Sequence, residues 1–160
     1  MSVIFYAGFR AETVSAKLSE IYRHLGDVRR VANFGEGDIE QILSDPKMIR
    51  NRRKVKACAQ NARCFLKVVE EHGSFHSFVA SFEPEVSFEG LFLLKEDIES
   101  RFSGIGEITT YHVLTDLGLP VLKPDRVIMR IFRRLGLVQN SRDLLRAVIH
   151  GRRFGACQPV

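Results

Sequence analysis

Phe102-Ser103-Gly104-Ile105-Gly106-Glu107-Ile108-Thr109 and, soon after, Leu122-Lys123-Pro124-Asp125-Arg126-Val127 decide how this chain reads. Glycines at 104 and 106 let the backbone turn tightly and bring its N–H groups against an anionic oxygen. Residues 108–118 then carry a helical pattern, and the N-terminus of that helix adds positive partial charge at the turn. Asp125 follows a proline suited to a helix's first turn, and Arg126, Arg130 and Arg133 recur behind it at helical spacing. A phosphate backbone accounts for the arginines. The lone carboxylate among them asks for a separate role.

Around this stretch lie 160 residues, enough for one domain, or two small lobes sharing an apolar interior. With 45% hydrophobic and 27% charged residues the composition is that of a globular chain. No apolar run reaches membrane-spanning length, and the first residues lack a charged secretory lead-in, so a cytoplasmic, nucleoid-associated protein is expected. Cys58, Cys64 and Cys157 have neither metal-ligand nor disulfide spacing. No protein-held metal is expected from them. The formal charge of +5 is unevenly spread: residues 47–73 carry a net +6 and residues 123–153 a net +7, separated by a block of net −6. Such patterning is the electrostatic footprint of a polyanion binder. Taken alone, the first block reads equally well as solvated helix faces. The second adjoins the glycine turn.

Nearly every segment shows helical periodicity, and the fold class is all-α. A helix is expected over Val3–Leu25 with Gly8 as its soft point, and another over Asp38–Leu43. A long one runs from Met48 to His72, with Val55, Cys58, Ala62, Phe65, Leu66 and Val69 on one stripe. Shorter helices follow around Phe75–Phe82 and from Phe88 into the acidic run before the turn. On the helix after the turn, Thr110, Val113, Leu114 and Leu117 are assigned to the core, and Ile108, His112 and Thr115 to the other side. Pro124–Leu135 should bury Val127, Ile128, Ile131, Phe132 and Leu135, and Ser141–Ile149 should form a last short helix.

Helix, Gly-x-Gly turn, helix, apolar link, then Pro-Asp opening a basic helix resembles the helix-hairpin-helix DNA glycosylase superfamily, the endonuclease III-like base-excision enzymes. The middle of the chain, Ser44-Asp45-Pro46-Lys47-Met48-Ile49-Arg50-Asn51-Arg52-Arg53-Lys54-Val55 with Asn61-Ala62-Arg63, is similar to the 3-methyladenine DNA glycosylase I branch. Together the resemblances span about residues 3–138. They imply a helical bundle with a cleft between two helical lobes, and a single glycosylase-like domain over 1–160 that starts after the family's N-terminal segment. The branch's base-recognising glutamate falls near Ala7, and its zinc site has no counterpart here.

What the resemblance implies for chemistry can be placed on residues. Asp125 is the catalytic carboxylate, positioned against the positive charge that builds on deoxyribose as the base leaves. Gly104, Ile105, Gly106 and Thr109, with Arg126 and Arg130, contact the DNA backbone, and a monovalent cation can accompany the turn. Tyr6, Phe9, Ile108, Tyr111 and His112 line the pocket for the flipped base, and Arg10 is the residue that enters the base stack. Bifunctional members place a lysine where this chain has Ile108. Without that amine water is the nucleophile, and hydrolysis is monofunctional. The implied partner is double-stranded DNA bearing a damaged base, an alkylated purine first of all, bound by a monomer. Other readings are the same fold acting on a mismatched or oxidised base, and a non-catalytic DNA-binding module.

Overall fold

The computed structural model describes residues 2–119, 121–140 and 143. Ten α-helices and no strands are present among them: α1 Val3–Tyr6, α2 Ala11–Ser15, α3 Leu18–Leu25, α4 Val28–Ala32, α5 Glu36–Ser44, α6 Arg52–His72, α7 Phe75–Ala80, α8 Phe88–Arg101, α9 Glu107–Asp116 and α10 Arg126–Arg134. The expected final helix and the tail fall almost wholly outside the described residues.

The all-α expectation is met, but its boundaries move. The anticipated Val3–Leu25 helix is three helices. Ala7 and Arg10 are extended and Gly8 takes a φ of +80° between them, while Lys17 breaks the chain again before α3. Apolar periodicity runs through both breaks because all three pieces lay the same side of the chain on one core. Helix α4 lacks a long periodic run. Asp27 starts it, accepting the Arg30 N–H at 3.0 Å. Helix α6 begins at Arg52 rather than Met48, with the Asn51 side chain accepting from the Lys54 N–H.

Helix α6 is the strut of the molecule. Its first half, with Val55, Cys58, Ala59 and Ala62 fully or nearly fully enclosed, packs into a core with α1 to α5. Its second half, through Phe65 and Val68, joins a second core with Phe78, Leu91, Leu94, Ile98, Tyr111 and Leu114. Gly90 lets α8 approach the preceding loop: a Cβ there would lie 2.0 Å from the Phe82 carbonyl oxygen. Of the residues expected to bury one side of α10, Ile128 and Phe132 are partly buried, packed with Met129 and Val138, and the other three are exposed. Met129 is its buried residue, whereas Val127, Ile131 and Leu135 are 53%, 45% and 64% exposed. Periodicity sorts side chains by face; it does not say which face is covered. Among the described residues no helix is long and apolar enough to cross a membrane.

Candidate functional site

The segment from Phe102 to Gly106 leaves α8 and delivers α9. Phe102 plugs the second core at 8% exposure, while Ser103, Gly104 and Gly106 stay open to solvent. Gly104 takes a φ of +74°, and a Cβ on it would come within 3.4 Å of the Ala57 Cβ on α6. A left-handed residue pressed on a helix admits little besides glycine. Gly106 differs. It is extended, and nothing within 4 Å would meet an added Cβ, so its bare backbone faces outward at the start of α9. Among the described residues the N-cap Gly106 has no side chain to cap that helix, so the positive end of α9 lies at the turn.

A residue from α6 holds the turn in shape. Asn61 donates from Nδ2 to the Ser103 carbonyl at 2.9 Å, and its Oδ1 accepts the Ser103 N–H at 2.7 Å. It is 6% exposed. Nearby on the same helix, Lys54 donates to the carbonyls of Ile4 and Ala7, tying down the end of α1, and burial lowers its ammonium from the usual lysine range. Arg63 donates to the carbonyls of Ala32 and Phe34 at 2.7 and 2.8 Å. The Asn-Ala-Arg stretch thus reads physically: one side chain for the turn, one buried methyl, one clamp on the α4–α5 link. Asn61, missed in the sequence, had a signal, a polar side chain falling inside an apolar stripe.

A polar cavity of about 330 Å³ opens beside the turn, lined by Ser103 and Gly104 together with Arg53, Lys54, Asn51 and Ala7. The first basic block therefore divides. Arg53 faces the turn, whereas Arg52 pairs with Glu36 and Glu40, and Lys56 with Glu36 at 2.8 Å. An anion seated at the turn would meet glycine backbone, a helix N-terminus and the Arg53 guanidinium. The resemblance also implies a cation here. The carbonyls of Phe102, Ser103 and Gly106 each accept hydrogen bonds from the protein, and no step of the chemistry below is routed through a cation.

Asp125 is the N-cap of α10. One carboxylate oxygen, Oδ1, accepts the N–H groups of Val127 and Ile128, both at 2.9 Å, and the side chain is half-buried. The other oxygen makes no hydrogen bond among the described residues. Asp125 acts electrostatically on His112, which stacks on Tyr6 with centroids 6.5 Å apart and planes at 18°. Burial, then Lys123, lowers the His112 pKa; Asp116 and Asp125 oppose that shift. The imidazole is therefore neutral at neutral pH. Asp125 was expected to have no rival carboxylate, yet the turn of α9 brings Asp116 to the same neighbourhood.

The other pocket candidates scatter. Tyr111 is fully enclosed in the second core, its ring 6.0 Å from the Lys95 ammonium of α8, and burial raises its phenol pKa. The 100° step per residue along α9 turns it aside from its neighbour His112. Phe9 is 37% exposed, with the Lys54 ammonium 5.6 Å from its ring centre. Ile108 is 50% exposed beside the turn, and Thr109 is turned inward at 9% exposure, which withdraws its side chain from solvent. Arg10 is an exposed residue preceding α2, and Arg126 and Arg130 are exposed on α10.

Comparison with known proteins gives these features a context. Residues 4–103 match the model of the methyladenine glycosylase family, a span that includes Lys54 and Asn61 and ends just before Gly104. DNA-3-methyladenine glycosylase 1 of Escherichia coli is 36% identical over 77 residues, covering 44% of this chain and 41% of that protein. The chain thus matches about two fifths of the length of that curated relative. The crystal structure of a 3-methyladenine DNA glycosylase I (TAG) superposes with a TM-score of 0.58 at 25% identity, covering 71% of each chain. A variant of 3-methyladenine DNA glycosylase I in complex with 3-methyladenine shares the fold at a TM-score of 0.60 and 20% identity, covering 71% of this chain and 70% of that one.

Proposed function

This chain belongs to the methyladenine glycosylase family, and from that premise we propose that it is a monofunctional DNA glycosylase that releases an alkylated purine from double-stranded DNA. The observation that carries this reading is the locked turn. Gly104 is held left-handed against α6, Asn61 fixes Ser103 from both sides, and Arg53 borders the open face. A strand phosphate bound there is fixed in register, and phosphate contacts position rather than specify.

With the strand anchored, Asp125 supplies the electrostatics of bond cleavage. Breaking the N-glycosidic bond leaves positive charge on the sugar; a carboxylate already oriented by two backbone N–H groups stabilises it without reorganising. The oxygen not spent on capping is the one that faces this charge or orients water. The base leaves with the bonding electron pair, water adds to the sugar carbon, and its proton passes to solvent or the carboxylate. Ile108 offers no amine to attack the sugar, so the product is an intact abasic site. An alkylated purine is a good leaving group because the alkylated ring already carries positive charge.

Asp125→Asn is the decisive substitution. Asparagine caps a helix as well as aspartate, so α10 persists while the negative charge is lost. Release of 3-methyladenine from methylated duplex should fall on the order of a hundredfold or more, with duplex affinity nearly unchanged. Unaltered release by Asp125→Asn removes that residue from the chemistry. An unmutated chain that frees no base from a panel of single-lesion duplexes would instead be a DNA-binding module.

A further inference from the structure

Helix α10 is built on a repeated pair. Arg126-Val127, Arg130-Ile131 and Arg134-Leu135 recur every four residues, so an arginine ridge and an apolar ridge run side by side along it. Met129, Ile128 and Phe132 pack with Val138 on the other side of the helix, which leaves the Val127, Ile131 and Leu135 ridge in solvent. Leu137, just past the helix, adds to it at 60% exposure. Phosphates would satisfy the arginines but offer nothing to three aliphatic side chains. The surface that fits both ridges is acidic and apolar together.

The chain carries such a surface on α8 and the loop before it. Glu85, Glu89 and Glu96 are exposed, and among them stand Val86 and Leu93, 69% and 58% exposed. The helical turn of 3.6 residues puts Glu89, Leu93 and Glu96 on one side of α8. Among the described residues Glu85 and Glu89 form no ion pair, and neither do Arg126, Arg130 and Arg134. At 1.5 Å per residue, Glu89 to Glu96 spans about 10 Å and Val127 to Leu135 about 12 Å. The two surfaces match in length as well as in charge.

We propose that two copies of this chain pair, with α10 of each lying on the acidic face of α8 of the other. Pairing α10 with α10 would instead set arginine against arginine. Asn140, beyond the end of α10, lines the same cavity as Glu96, so the two surfaces adjoin. A two-fold axis between them lets both contacts form at once. One helix contact is small against the roughly 1,200 Å² of a specific interface, and making it twice doubles the buried area. Arg126 and Arg130 are also the side chains that the glycosylase reading gives to DNA. They cannot meet a phosphate and a second copy together, so the pair is the form free of duplex.

Sedimentation equilibrium of the whole chain without DNA reads the pairing directly. Dimers should grow in as concentration rises through the micromolar range and recede as salt is added. Arg134→Glu and Glu89→Arg should each weaken association on the order of tenfold. An equimolar mixture of the two variants should recover it, because the mixed pair sets opposite charges together in both contacts, in one of them reversed. Ile131→Gln keeps a good helix former and removes the middle of the apolar ridge, and should weaken association about as much. All three side chains are exposed, so these substitutions leave the fold in place. A chain that stays monomeric at every concentration would leave the ridge to DNA or to another protein and overturns the proposal. So do pairs indifferent to Ile131→Gln, or a mixture that associates no better than its components.

Discussion

Asn61 joins two parts of the chain that are 42 residues apart in sequence, and it does so from inside the protein. Removing its amide would leave the Ser103 N–H and carbonyl without the partner that fixes them, at a part-buried contact between α6 and the turn. That costs about 1–3 kcal/mol and frees the turn. Asn61→Ala should therefore lower the melting temperature and weaken duplex binding together. Asn61→Asp is the finer probe, because it keeps the acceptor for the Ser103 N–H and loses the donor to the carbonyl. Binding and thermal melts of both variants check this; a melting temperature lowered with duplex affinity intact would show that Asn61 supports the core alone. Gly104 announced itself in the sequence because its demand is local, a single residue's φ. Asn61 did not, because its partner is set by how α6 and α8 meet. Asp116 escaped notice because it stands beside His112 only once α9 is wound.

At the level of elements, the joint between α3 and the end of α5 is the one most exposed to acid. Asp45 accepts from His24 at 2.8 Å and from the Lys47 N–H at 2.8 Å, and it pairs with Arg23. The His24 hydrogen bond, followed by the Lys47 N–H and the Arg23 charge, holds its carboxyl down from 3.8 to about 2. A carboxyl depressed in the folded state contributes stability above its unfolded pKa and loses that contribution as pH falls through the folded one. The melting-temperature gap between the unmutated chain and Asp45→Asn should thus be constant near neutrality and close as pH drops from 3.8 towards about 2. A gap that persists in acid would place the effect in helix capping or packing. The helices themselves were largely readable, α6 most clearly, since an unbroken apolar period and the terminating Gly73 coincide there, whereas the continuous apolar run that opens α8 suits strand as well as helix. The α1–α3 breaks were hidden because an apolar stripe continues across them, and the exposure of Val127 and Ile131 was hidden because coverage depends on neighbours.

Across the whole molecule, net charge says less than its division of labour. Arg52 and Arg53 are adjacent in the same basic block, yet Arg52 is committed to Glu36 and Glu40 while Arg53 borders the turn. Duplex affinity should fall steeply as salt rises, and Arg53→Ala should reduce the log–log slope by about 1, the worth of one phosphate contact. Arg52→Ala should leave the slope alone. Equal effects of the two substitutions would mean that the block acts as a diffuse field and not through the turn.

Burial within α6 also gives the protein a built-in clock. Cys58 is fully enclosed, and that burial pushes its thiol up to about 12, so at neutral pH an alkylating reagent finds no thiolate to attack. Modification at that sulfur, located by peptide mass, therefore counts only molecules in which the strut has come away from the first core. How fast it accumulates, with and without damaged DNA, times the opening of the very helix that braces the strand anchor.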